Sequence, residues 1–132
     1  MAHYVIHSSA LIQYLEKDVF PREHELLAPG IIRSEVLQHY YEANRQGIKT
    51  VSEVKILLDR LSRFKIRLLN DKVLRQKAFM AAVKLGCPDT YIAEYIALTQ
   101  LHGDGLVVAK PLEALTMAID VPILEWDTIV VT

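Results

Sequence analysis

The sequence has a single cysteine, Cys87, among 132 residues, so no intramolecular disulfide can form and a cysteine-rich zinc centre is excluded. A reducing compartment fits that count. No apolar run approaches the roughly 20 residues needed to cross a bilayer. The Met-Ala-His-Tyr start has no charged segment leading into an apolar one. A cytoplasmic protein with no membrane partner is therefore expected. A dominant charge sign is missing as well: the net charge of −1 argues against a uniformly basic nucleic-acid binder. Repeats, low-complexity tracts and linker-like stretches are also lacking, so one domain over residues 1–132 is expected.

Apolar residues are abundant. At 52% they exceed the usual share of a soluble domain, which implies elements covered on more than one face or an interface between chains. Basic residues are unevenly spread. Lys55, Arg60, Arg63, Lys65, Arg67, Lys72, Arg75 and Lys77 are offset only by Asp59 and Asp71, so this segment carries +6 and the remainder −7. Several of these charges fall on different elements, which favours a solvated face over a dedicated surface. Lys55, Arg60, Arg63, Lys65 and Arg67 are still the best candidates for contacting RNA phosphates.

Short apolar runs alternate with segments of helical spacing. Tyr4 to Ile6 reads as a strand, with Ser8 and Ser9 as caps for a helix carrying Ala10, Leu11, Tyr14 and Leu15. Leu26 to Ala28 is the next strand. Pro29-Gly30 separates it from a helix with Ile32, Val36, Tyr40 and Ala43 that Gly47 ends. Val51, Val54, Leu58 and Leu61 mark a third helix and Ile66 to Leu69 a strand. Leu74, Ala78, Ala81, Ala82 and Leu85 mark a fourth helix, stopped by Gly86. Pro88 suits a first helical turn, giving a helix from Asp89 to about Leu101 that His102-Gly103-Asp104-Gly105 breaks. Leu106 to Ala109 is a strand, Pro111 opens a short helix, and Val121 to Leu124 is a last strand. This alternation predicts an α/β fold in three layers, α/β/α, around a central and mostly parallel sheet.

In such sheets the functional crevice lies beyond the carboxyl ends of the strands. His7 and Lys110 follow strands, and Glu35 and Asp89 could join them there. The order and spacing of YVIHSSALIQYL from Tyr4, APGIIRSEVL from Ala28, CPDTYIAEYIAL from Cys87 and LVVAKPLEAL from Leu106 resemble a PIN domain. This is the fold of the VapC-type toxins of toxin–antitoxin pairs and of other small metal-dependent ribonucleases. The resemblance covers almost the whole chain. It implies a nuclease of the hydrolase class, Mg²⁺ or Mn²⁺ held by carboxylates, RNA as substrate, an antitoxin-like partner and a homodimer. Leu11, Tyr14, Leu15, Tyr40 and Tyr41 would supply the homodimer interface.

The family pattern has an aspartate after the first strand, a glutamate in the second helix, an aspartate opening a later helix, and Thr-x-Asp after the fourth strand. Glu35 and Asp89 match as catalytic and metal-binding positions. Ser9 stands where the family often has Ser or Thr, as an accessory residue. His7, Val108 and Lys110 are substitutions. The two lost carboxylates matter because hard cations want oxygen donors. An ammonium about 5 Å from a divalent ion, at an effective dielectric constant of ~20, repels it by roughly 6 kcal/mol where a carboxylate attracts comparably. The expected result is a degenerate site with weak or lost nuclease activity, in which Lys110 pairs with Glu35 or Asp89 in place of the cation and RNA or partner binding remains. Two alternatives stand beside it. One is an active endoribonuclease using His7, Glu35, Asp89 and Glu113 around Mn²⁺, Mg²⁺ or Zn²⁺. The other is a non-catalytic interaction subunit with no cofactor.

Overall fold

The computed structural model describes residues 2–109 and 120–130. The expected helix from Pro111, together with Lys110 and Glu113, lies outside the described residues. Five strands form one sheet: β1 (His3–Ile6), β2 (Glu25–Pro29), β3 (Arg67–Leu69), β4 (Gly105–Val108) and β5 (Ile123–Glu125). Their order is β3-β2-β1-β4-β5 and every pairing is parallel. The helices α1 (Ser8–Lys17), α2 (Ile31–Arg45) and α3 (Val51–Arg63) pack with one another, while α4 (Lys72–Leu85) packs on α5 (Tyr91–His102), which lies against β1, β2 and β4. A 3₁₀ turn, Trp126–Ile129, follows β5. The architecture is the three-layer α/β/α fold, with the described strands wholly parallel.

Continuous apolar runs make the inner strands. Val5, Ile6, Ala28 and Leu106 to Val108 are fully buried because helices cover both faces. The edge strands β3 and β5 are only partly buried. The chain runs from β1 outward to β2 and β3, then returns to place β4 on the other flank of β1. The order therefore reverses between β1 and β4, which puts the crevice of an open sheet beside the ends of these two strands.

Three local expectations are corrected. The cap of α1 is His7, whose ring accepts the Ser9 N–H, while Ser8 and Ser9 are already helical. The fifth helix begins at Tyr91, two residues later than Asp89, because Pro88 to Thr90 form a bend with Thr90 as N-cap. On α3 the deepest residue is Leu57 rather than a member of the expected stripe, and Val51 is exposed. The Thr50–Glu53 capping box starts that helix and leaves Val51 in the outer first turn. Gly86 ends α4 in the left-handed conformation at φ 65°, as a C-terminal glycine should.

Gly103, where α5 turns into β4, has no room for a side chain. A Cβ there would lie 2.9 Å from Val5 Cγ2 and 3.1 Å from the Thr99 backbone, and Val5 is fully buried. Gly103→Ala should destabilise the fold by about 1–3 kcal/mol, read as a lower urea midpoint at unchanged m-value.

Candidate functional site

The carboxyl ends of β1 and β4 are closed by His7 and Ser9. The His7 N–H donates to the Val107 carbonyl at 2.9 Å, continuing the β1–β4 ladder by one bond. The His7 backbone then takes extended geometry, φ −74° and ψ 153°, and opens α1. Its Nδ1 accepts the Ser9 N–H at 3.1 Å and lies 2.8 Å from Ser9 Oγ. Ser9 Oγ in turn accepts the Ala109 N–H at 3.1 Å, and since Nδ1 accepts the Ser9 N–H and is therefore unprotonated, the hydroxyl is the donor to it. With the Nδ1 lone pair engaged, the neutral ring carries its proton on Nε2. Burial pushes the imidazole down to about 4, so it is neutral at ordinary pH.

The His7 ring packs on Tyr95, with centroids 4.6 Å apart and planes tilted by 54°. Tyr95 is fully buried on α5, and its hydroxyl donates to Glu35 Oε1 on α2 at 2.5 Å. Burial raises the Glu35 carboxyl above its ordinary range. The Tyr95 bond opposes that shift and the Asp89 charge adds to it. Burial, then the Glu35 charge, raises Glu94 likewise. Asp89 is exposed, and its Oδ1 accepts the Tyr91 N–H at 2.9 Å, which caps the start of α5. A cleft of about 790 Å³ runs beside these groups, lined among others by Ser9, Ile12, Ser34, Glu35, Gln38 and Tyr91.

Of the residues singled out from the sequence, the fold brings Glu35, Asp89, His7 and Ser9 to the crevice end. Val108 is a fully buried core residue of β4. Lys110 and its expected ion pair, like Glu113, lie outside the described residues. Asp104 sits at the opposite end of the sheet, accepting the His3 N–H at 2.7 Å. Tyr95 and Glu94 belong to the site and were not singled out. Their helix reads as an apolar stripe, and the one available signal is a tyrosine in a core position, whose hydroxyl needs a partner.

A hard divalent ion does not fit the donors described. His7 presents a protonated Nε2 and an occupied Nδ1, Asp89 is spent partly on its helix end, and Tyr95 holds one Glu35 oxygen. Among the described residues no three His, Cys, Asp or Glu side chains are grouped to hold a metal.

A solved structure from Pyrobaculum aerophilum, PAE2754, shares this fold. The likeness has a TM-score of 0.73 and spans 96% of this chain and 92% of that one at 22% identity. At that identity it establishes the fold alone. No family model and no curated protein matches the chain.

The basic candidates differ in their surroundings. Arg60 donates to the Leu15 carbonyl at 2.8 Å and lies 3.8 Å from Asp18, tying α3 to the end of α1. Arg63 pairs with Asp59 at 3.0 Å and Arg67 with Glu25 at 3.5 Å. Lys55 and Lys65 are exposed. The expected dimer residues are also corrected: Leu11, Tyr14, Leu15 and Tyr40 are at most 1% exposed, and of the five only Tyr41 is on the surface. Among the described residues no helix is long and apolar enough to cross a membrane.

Two outcomes follow from this geometry. The folded His7 stays neutral down to about pH 4, whereas the unfolded chain takes that proton near 6.5, so the unfolded state binds more protons in between. Stability should therefore fall as pH drops from 6.5 to 4, by on the order of 3 kcal/mol from this group. The raised Glu35 and Glu94 act in the opposite sense, because the folded state takes up their protons first as pH falls. The His7 contribution is thus the difference from His7→Asn, which keeps the cap and should lose this slope in urea titrations across the window. Tyr95→Phe removes the donor to Glu35, so the Glu35 carboxyl should titrate at still higher pH by NMR. An unmoved or lowered value would contradict the bond.

Proposed function

We propose that the chain is a PIN-like relative of the metal-dependent endoribonucleases of toxin–antitoxin systems, with nuclease activity weak or lost and binding of RNA or a protein partner retained. The observation that carries this reading is the role of His7. Where the resemblance calls for a metal-binding aspartate after the first strand, a buried imidazole has its Nδ1 lone pair engaged by Ser9. An aspartate there could cap the helix and still offer oxygens to a cation; this histidine caps it and offers a donor N–H. Glu35 and Asp89 keep positions of the pattern, which supports descent of the crevice from a hydrolytic one. The cleft beside Glu35 would be where a bound chain lies. Within this reading, Lys110 puts a cation in the sequence where the family pattern has a carboxylate.

The active alternative, with His7, Glu35, Asp89 and Glu113 around Mn²⁺ or Mg²⁺, requires the imidazole to release Ser9 and turn a bare nitrogen to the metal. The interaction-subunit alternative requires no ligand in the cleft at all. One set of measurements separates the three. Purified protein incubated with a mixed-sequence RNA and either cation should cleave no faster than Glu35→Ala. Metal-dependent cleavage that Glu35→Ala abolishes would overturn the proposal in favour of the enzyme. RNA binding should weaken, and its salt dependence flatten, when Lys55, Arg63 and Lys65 are changed to Glu, with Arg60 left intact as a structural tie. Unchanged or absent RNA binding moves the function to a protein partner.

A further inference from the structure

The chain that leaves α3 reads Arg63-Phe64-Lys65, an aromatic residue with a basic one on either side. Both basic neighbours are exposed and Phe64 is half-buried. Its ring packs on Phe20, with centroids 4.8 Å apart, and stacks on Tyr14 at 6.0 Å. Phe20 and Phe64 line a pocket of about 810 Å³ where the ends of α1 and α3 meet the loop after α1. That volume is within the usual range of small-ligand sites, roughly 300–1,000 Å³. Asp18, on its lining, stands nine positions after Ser9, so α1 sets the pocket roughly 14 Å from the crevice end.

The charges around this pocket are of both signs and close to balanced. Arg22, Arg60 and Arg63 line it with Asp18 and Glu23. Asp59, which pairs with Arg63 at 3.0 Å, Asp127 near the Tyr14 hydroxyl, and Lys65 stand close by. Arg60 is held by the Leu15 carbonyl and by Asp18. A phosphate placed inside would meet Asp18 and Glu23 as repulsion. An apolar side chain or lipid tail would strip water from five charged groups and return no hydrogen bond. A nucleobase meets neither objection. Its uncharged π-face can lie on phenylalanine, and its edge carries both donors and acceptors for carboxylates and guanidiniums to pair with. The flanking phosphates stay outside, where Arg63 and Lys65 reach solvent. Val130 also lines the pocket, and Val131 and Thr132 after it lie outside the described residues.

We propose that this pocket is a subsite for one unstacked base of single-stranded RNA. Phe20 and Phe64 supply the stacking surface, Arg22, Asp18 and Glu23 meet the base edge, and Arg63 and Lys65 meet the flanking phosphates. The proposal rests on the reading that RNA binding is retained, and it adds a site remote from His7 and Glu35. Stacking tolerates any base, because each has a π-face. A duplex keeps its bases inside the helix and does not enter.

The full-length chain, with Val131 and Thr132 present, is labelled on phenylalanine and titrated with a short mixed-sequence single-stranded RNA, then with the same RNA annealed to its complement. The single strand should move the ring resonances of Phe20 and Phe64 and give contacts between base protons and those rings. The duplex should do neither. Phe79, exposed on α4, is the internal control and should stay unmoved. Phe20→Leu and Phe64→Leu keep apolar packing and should each weaken binding roughly fivefold or more. Exposed Arg22→Ala should weaken it without touching the core. Amide spectra away from the pocket check that the variants fold, and the ring shifts of the unaltered chain test the proposal without them. RNA that binds while both rings stay unmoved, or ring shifts that the duplex produces equally, would overturn the subsite and leave retained RNA binding in place. No binding at about millimolar RNA would overturn both.

Discussion

The Ser9 hydroxyl is the joint on which the functional end of the molecule depends. It donates to the ring of His7 at the end of β1 and accepts from the backbone of Ala109 just beyond β4, thereby stitching together the two strands between which the sheet order reverses. Because Nδ1 also accepts the Ser9 N–H, it carries no proton, and this fixes the tautomer of the imidazole. Because the imidazole is fixed and buried, it serves as a flat wall for Tyr95, whose hydroxyl in turn holds Glu35. Five elements are linked through four side chains in a region of low effective dielectric, where a satisfied polar network is rigid and an unsatisfied one is costly.

That network explains why the crevice is electrostatically quiet. Burial acts on both partners of Tyr95 in the direction that removes charge: it lowers the His7 imidazole toward the neutral base and raises the Glu35 carboxyl toward the neutral acid. Asp89 lies at the surface, where its side chain already accepts a backbone N–H at the start of α5. A cage for a hard cation works in the opposite way, since it concentrates anionic oxygens whose mutual repulsion the metal relieves. At His7 and Glu35 the environment favours neutrality instead.

The layers, the parallel sheet and the order of its elements were legible because a strand covered on both faces must be apolar throughout. Leu106 to Val108 and Leu26 to Ala28 show this directly. Helix ends were less legible. Serine is a far commoner cap than histidine, so Ser8 and Ser9 outranked His7, and only the three-dimensional closeness of Ala109 explains why Ser9 turns its hydroxyl elsewhere. Glu35 and Asp89 came only from the family resemblance. Tyr95 and Glu94 were not legible, because their importance lies in contacts with a helix about sixty positions away in the chain. The basic segment read as one feature along the chain, yet folding sends Arg60 to a carbonyl of α1 and Arg67 to Glu25 of β2.

The same limit governs the excess of apolar residues. Periodicity identifies a helix with two apolar faces but does not say which face finds a partner inside the fold. On α1 both do. Tyr14 stacks on Phe64 at 6.0 Å, lies edge-on to Trp126 and donates to the Trp126 carbonyl, so α3 and the turn after β5 cover what looked like an interface. Tyr40 on α2 is likewise enclosed. On α4 the second apolar face stays open, with Phe79, Met80 and Val83 turned outward. Burying such side chains is worth roughly 1.5–3 kcal/mol each, so a fold that leaves them in water forgoes that stabilisation. Part of the surplus hydrophobicity of this sequence thus lies on α4, whose exposed side chains take no part in the network around Ser9.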